Sequence, residues 1–353
     1  MKVIVIGAGV IGAASADALA SAGHAVHVID MRGPGRGASA ASAGVLAPFI
    51  EAHDGDAWLD MCVESLALYD TFVDSLRARS KRIVQYDRSG TLEVAVSPDD
   101  VGRLTSLKSW LDARGVAAEW LDGAAAKTFE PAIGASALGA LHIGPHGFVA
   151  VADLIGALTH AASLAGASFE SPAEAVSVTS SKESVTVAIG DRSLAADAVV
   201  VATGSWSGRV KVDGAPAAEV RPIRGQLLHR KWPEDQAMPK RVVWSPRCYA
   251  VPWVDGSLLV GATVEDVGFD ERSTVSGVHD LMAAAGDVLP AAWRATLKEV
   301  RVGLRPEPLG GLPIIGPSPS SSRVILATGH YRNGVLLAPL TAKKVTDAIG
   351  QHS

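Results

Sequence analysis

Residues 1–30, MKVIVIGAGVIGAASADALASAGHAVHVID, constrain the fold more than any other stretch of this chain. Lys2 to Ile6 is a short apolar run rich in β-branched residues. Gly7, Gly9 and Gly12 follow with the spacing G-x-G-x-x-G. Ala13 to Ala22 is alanine-rich and helical in character, and Gly23 suits a left-handed helix end. Ala25 to Ile29 is a second strand run, closed by Asp30. Strand, glycine turn, helix, strand and acid in this order specify a βαβ unit for an adenine dinucleotide. The first glycine makes the turn, the second lets backbone approach a pyrophosphate, and the third lets helix pack on strand. The helix N-terminus offers N–H groups and partial positive charge to the phosphates. Asp30 stands where a carboxylate accepts ribose hydroxyls. NAD and FAD both use such a unit, so the dinucleotide stays open at this point.

With 353 residues, the chain holds one large domain or two interleaved ones. Its 48% hydrophobic and 20% charged content allows a sizeable core and argues against disorder. The net charge of −5 and the lack of a long Lys/Arg run argue against a nucleic-acid partner, and none is expected. Cys62 and Cys248 form no C-x-x-C, and the ten histidines include no H-E-x-x-H, so no metal site is expected. So few cysteines suit a reducing compartment. The absence of G-x-S-x-G lowers the case for an α/β-hydrolase. The N-terminus does not read as a signal peptide, because glycines break it, Asp17 lies inside its helix and Lys2 is its lone basic residue. No stretch reaches the about 18 apolar residues of a spanning helix. A soluble, cytoplasmic protein without a membrane span is the expectation.

After Asp30 the chain is rich in Gly, Ala and Ser, suited to lying close against a flat ligand, with Ser39, Ser42, Ala43 and Gly44 as candidates. Trp58 to Arg79 and Val101 to Arg114 have helical spacing. Ile83 to Val96 alternates around Ser89-Gly90 as a hairpin would. Trp110 and Trp120 read as packing residues. Leu138 to Val149 reads as strands around a Gly-Pro-His-Gly turn. Asp153 to Leu164 is a helix, and Ala175 to Val178, Ser184 to Ile189 and Ala198 to Val201 are strands. The last is wholly apolar and ends in Ala202-Thr203-Gly204, as a central buried strand beside a cofactor would. Val220 to Leu228 and Val242 to Ala262 are long strand runs with an Asp255-Gly256 turn, enough for a separate β-rich domain. Val275 to Val288 is a helix. RVILATG is a strand, and a final helix follows with Pro339 in its first turn.

In their joint order, GAGVIG, ASAASAG, VVVATGSWSG, CYAVPW, LLVGATVEDVGFD, GLRPEPLGGLPIIG and GHYRNGVLLAP resemble the FAD-dependent amino-acid oxidases of the D-amino-acid oxidase superfamily. Within it the chain looks most like bacterial glycine oxidases of the thiamine pathway. The resemblance covers nearly the whole chain. It implies an α/β fold of the glutathione-reductase type, a Rossmann-like FAD-binding domain interleaved with a β-sheet-rich substrate domain. The implied FAD-binding segments are 1–82, 150–216 and 300–353, and the substrate domain is 83–149 and 217–299. It also implies that the helix start at Asn333, Gly334 and Val335 faces the pyrimidine end of the flavin, where its dipole and N–H groups would stabilise negative charge.

The same resemblance selects FAD over NAD. Besides the residues already named, it places Val10, Ile11, Met31, Ala38, Val45, Ala175, Trp206, Gly329 and His330 around the cofactor. No cysteine lies in 305–335, so the FAD is expected to be non-covalent. Arg305 in GLRP matches a carboxylate clamp, Tyr249 in CYAVP a hydroxyl closing over that carboxylate, and Arg332 in GHYRNG a residue bordering substrate amine and flavin. His330 is given no proton-transfer role. Arg247, Val264 and the VLAPFI loop depart from the pattern and are expected to bear on side-chain space.

The implied reaction is oxidative deamination of glycine or a small D- or N-methyl amino acid. The Cα–H passes as hydride to the flavin, leaving an imine, then an oxo acid and ammonia, with hydrogen peroxide from oxygen. Amine oxidation by flavin needs orientation more than acid–base groups. The alternatives are a D-amino-acid or imino-acid dehydrogenase using a quinone or other electron acceptor, and a non-catalytic FAD-binding subunit of a dehydrogenase complex. An NAD-dependent dehydrogenase is disfavoured by the GHYRNG block. By analogy with relatives, a homo-oligomer is expected.

Overall fold

The computed structural model describes residues 1–50 and 57–351. Its centre is a six-stranded sheet in the order Ile314–Ser318, Ser321–Thr328, Ala198–Val201, Lys2–Ile6, Ala25–Ile29, Ser168–Glu170. All neighbours are parallel except the first pair, which is antiparallel. Strands buried on both faces read as continuous apolar runs, which is why KVIVI and AVVV were legible. Val3 and Val5 point into a helical layer with Leu19, Leu158 and Val345. Ile4 and Ile6 point the other way, with Val178, Val187 and Val199, towards a five-stranded sheet. The helical layer comprises Val10–Ser21, Ala57–Ser80, Val151–Leu164 and Ala338–Gly350, packed on one another.

The second large unit is an eight-stranded sheet in the order Thr296–Pro308, Val220–Lys231, Ser257–Gly261, Tyr249–Pro252, Val242–Trp244, Thr91–Ala95, Gly139–Ile143, Ala118–Asp122. Its pairs are antiparallel except Val242–Trp244 against Thr91–Ala95. The Asp255-Gly256 turn joins two of these strands, with Gly256 at φ +78°. The helix Val275–Val288 covers one face, where Leu281, Ala285 and Val288 meet Leu228, Leu258 and Val260. The expected boundary at residue 300 falls inside Thr296–Pro308, which pairs with Val220–Lys231 along its length.

One local expectation fails. Ile83 to Val96 is not a hairpin. Tyr86–Asp87 pairs with Gly147–Val149 in a small three-stranded sheet, while Thr91–Ala95 joins the eight-stranded one. The Ser89-Gly90 turn hands the chain from one sheet to another: the Asp87 carboxylate accepts the Ser89 N–H at 2.8 Å, and Gly90 adopts φ +85°. Trp110 and Trp120 are packing residues, as expected, at the edge of a core around Leu104 and Leu141. No described helix is long and apolar enough to cross a membrane.

Candidate active site

A single cleft runs from the glycine turn, past the carboxyl ends of the parallel strands, to the eight-stranded sheet. At its first end, Gly7 takes φ +101° with its Cα against the Ala202 carbonyl. A Cβ on Gly12 would collide with the Gly7 carbonyl oxygen, so the third glycine serves packing, as expected. The helix Val10–Ser21 begins on Gly9, which offers no capping side chain, and Gly9, Val10 and Ile11 all line the cleft. Its first amides are available to an anion, apart from the Val10 N–H, which donates to Ser39 Oγ at 3.0 Å. That bond folds the small-residue loop back over the helix start.

The Asp30 carboxylate organises the same end. It accepts N–H groups from Ala8, Arg32 and Gly33, each at 2.7 Å. A carboxylate has about four acceptor directions, which leaves capacity for a ribose hydroxyl. The loop is small for a stated reason: Gly44 lies at φ +74°, and a Cβ there would collide with the Val149 carbonyl. These bare backbones, the uncapped helix start and the acid fit an adenine dinucleotide.

At the far end, the strand Thr296–Pro308 carries Arg305. Its Nη1 donates to the Thr263 carbonyl at 2.9 Å and the Arg224 carbonyl at 3.3 Å. The guanidinium lies against Gly225, where a Cβ would collide with it. Ser205 Oγ donates to the Leu304 carbonyl at 2.8 Å, tying the Ala202-Thr203-Gly204 strand end to the residue before Arg305. Tyr249 lies beside Trp244, with ring centroids 4.9 Å apart and planes 33° apart, and opposite Gly261 in register. The turn bearing Arg332 is held by the Tyr331 N–H, which donates to the Pro306 carbonyl at 2.9 Å. Tyr249, Arg305 and Arg332 all line the cleft. Two guanidiniums and a phenol in one half-buried space suit a carboxylate, which arginine can grip through two parallel bonds.

His330 is buried, with its Nε2 3.0 Å from Thr341 Oγ1. Burial lowers its pKa to about 3, so the ring is neutral at working pH. Of the residues expected to hold the cofactor, only Gly12 and Gly329 do not line the cleft. Gly329, at φ +76°, shapes the turn against Pro308. Arg247 and Val264 are corrected: both are exposed, neither lines the cleft, and Arg247 pairs with Asp287 at 2.8 Å. Val45, Ala47 and Trp244 border the cleft instead. Sequence reasoning missed Trp244, Ser205 and Gly225. A glycine inside the strand run VRPIRGQLL was the available signal, since such a glycine marks close approach.

The comparisons agree with this geometry. Glycine oxidase of Geobacillus kaustophilus is 31% identical over 348 residues, 98% of this chain and 92% of that protein. The crystal structure of glycine oxidase from the same organism superposes with a TM-score of 0.92 at 30% identity, covering 99% of this chain and 95% of that one. Iminodiacetate oxidase from a Chelativorans species gives a TM-score of 0.87 at 27% identity, over 99% and 95% of the two chains. The model of the FAD dependent oxidoreductase family DAO matches residues 2–348. The chain therefore belongs to this family of FAD-dependent oxidoreductases, and the dinucleotide its cleft serves is FAD.

Proposed function

We propose that this protein oxidises glycine or a small D- or N-substituted amino acid, with oxygen as electron acceptor. The observation that carries the reading is the convergence of Tyr249, Arg305 and Arg332 on the cleft that begins at the glycine turn. FAD held by the glycine turn, Asp30 and the small-residue loop would supply the electron sink for a hydride equivalent and the route of its electrons to oxygen. The chain's part is orientation. Arg305, aimed by the Thr263 and Arg224 carbonyls, grips the substrate carboxylate. Tyr249 closes over that carboxylate, and Arg332 borders the amine. Trp244 and Tyr249 wall the space beside them, which favours a small side chain. His330, buried and held against Thr341, stays neutral and takes no proton. The imine product hydrolyses in water to an oxo acid and ammonia.

The cofactor-binding part is assigned to 1–82, 150–216 and the chain after Pro308, and the substrate part to 83–149 and 217–308, following sheet membership. Glycine is the substrate named for the Geobacillus kaustophilus relative, and iminodiacetate, an N-substituted glycine, for the Chelativorans one. The test is a panel of glycine, sarcosine, D-alanine, D-proline and iminodiacetate, followed by peroxide release and anaerobic bleaching of the flavin band. Bleaching and peroxide with at least one small amine are expected. Bleaching without peroxide would replace oxygen by another acceptor, and no bleaching with any amine would overturn the reading.

A further inference from the structure

Pro339 lies in the first turn of the C-terminal helix Ala338–Gly350. Proline has no N–H, so the Val335 carbonyl loses the donor four residues ahead that a helix normally provides. Val335 is only 5% exposed, so an unmet carbonyl there would be costly. The Tyr69 hydroxyl fills the place, donating to that carbonyl at 2.6 Å, beside a longer bond from the Ala338 N–H at 3.2 Å. One residue on, Ser65 Oγ donates to the Leu336 carbonyl at 2.7 Å and accepts from the Leu340 N–H at 3.3 Å. A hydroxyl is thus inserted into the helix ladder. Ser65 and Tyr69 are four residues apart on the helix Ala57–Ser80, share one face, and are fully buried. The Leu337 N–H donates to the Asn333 carbonyl at 2.8 Å, so 333–337 is a helical turn. Asn333, Gly334 and Val335 line the cleft at its amide end, with the Asn333 N–H already donated to the His330 carbonyl at 2.9 Å, while its carbonyl end is held by a helix behind it.

We propose that Tyr69 and Ser65 are positioning residues for the flavin: by holding the Val335 and Leu336 carbonyls they aim the amides of Gly334 and Val335 at the isoalloxazine and so raise its reduction potential. The inference rests on the ring lying at the Tyr249–Arg305 end of the cleft, as in the proposed function. Neither hydroxyl touches the cofactor; both act through the peptide units between. Burial raises the Tyr69 phenol well above its ordinary range, so it stays a donor at every working pH.

The test measures the midpoint potential of FAD-loaded wild type, Tyr69→Phe and Ser65→Ala by equilibration with redox dyes. Each variant is expected to shift the two-electron equilibrium about tenfold towards oxidised flavin, about 30 mV lower. Tyr69→Phe combined with Pro339→Ala restores an N–H to the Val335 carbonyl and should recover most of the loss. A purely structural role would lower the melting temperature and leave the potential in place, and that result overturns the proposal. Ser65→Ala carries the same test if Tyr69→Phe does not fold. A wild type that binds FAD but is bleached by no amine would count against the proposed function alone; unmoved potentials in FAD-loaded variants would count against the positioning role alone.

Discussion

At the scale of single residues, the proposed chemistry depends on how Arg305 is held. Its guanidinium rests on Gly225, so Gly225→Ala should push it off its two carbonyl acceptors. The expected outcome is a loss of about 10- to 100-fold in kcat/KM, or roughly 1.4–2.7 kcal/mol, with the flavin spectrum unchanged. Steady-state kinetics on the small-amine panel would check it, and wild-type kcat/KM would contradict the role given to Gly225. Two buried histidines make a separate prediction. Burial lowers both His146 and His330 to about 3, with the charges of Arg88 and His142 adding to the effect at His146. The Phe49 N–H donates to His146 Nε2 at 3.3 Å, which requires the neutral ring. Below pH 6.5 the unfolded chain protonates these rings and the folded chain does not. Stability from this source is complete above that pH and is lost as pH falls towards 3. Each ring should contribute a slope of up to about 1.4 kcal/mol per pH unit. Urea unfolding midpoints at pH 7.5 and 5.5 (about two pH units apart) should fall accordingly, and less so in His146→Gln. Equal midpoints in the wild type would refute the neutral-histidine reading.

At the scale of elements, the helices and buried strands were legible because their patterns are local. Trp58 to Arg79 read as a helix and is one over Ala57–Ser80. The Ser89-Gly90 turn was misread because turn chemistry says that the chain reverses, not which sheet receives it. Asp17 shows the same limit. It was visible as an acid inside an apolar helix, but its partner lies 62 residues away. Both Arg79 Nη groups reach its buried carboxylate, at 2.5 and 2.7 Å, joining the helices Val10–Ser21 and Ala57–Ser80. Arg79→Ala leaves that charge buried and unpaired, so a destabilisation of about 3 kcal/mol is expected in chemical unfolding. A change below about 0.5 kcal/mol, within the range of ordinary surface substitutions, would mean that the pair carries no structural weight. The helix holding Arg79 also presents Ser65 and Tyr69 to the C-terminal turn, so one element joins the glycine turn's helix to the far end of the cleft.

At the scale of the whole molecule, the two large sheets are clasped across the cleft. Arg224, on the eight-stranded sheet, is buried and roots the 263–274 loop through Glu265 Oε2 at 2.5 Å, Asp270 Oδ2 at 3.1 Å and the Arg272 carbonyl at 3.0 Å. From that loop Glu271 takes both Nη groups of Arg32, at 2.8 and 2.7 Å. Arg32 in turn covers the Trp206 ring at 4.5 Å, and both line the cleft beside Asp30. Trp206 was legible as a residue beside the cofactor, but the pairings were not, because Arg32 and Glu271 are 239 residues apart, the partners of Arg224 lie more than 40 residues away, and no local pattern records such pairs. Both ends of the Arg32–Glu271 pair are about one-third exposed, so its worth is modest. Glu271→Gln should speed FAD release by about three- to tenfold, roughly 0.7–1.4 kcal/mol, and leave turnover of the FAD-saturated enzyme alone. Release followed by flavin fluorescence would show it, and an unchanged rate would remove the clasp's role. What joins all three scales is the claim that Arg305 holds the substrate carboxylate against a bound flavin. Its most direct measurement is anaerobic bleaching of the flavin band, near about 450 nm, in wild type and Arg305→Ala. A small amino acid should bleach the wild type rapidly and the variant at least about 100-fold more slowly, both retaining FAD. Equal bleaching of the two would contradict it.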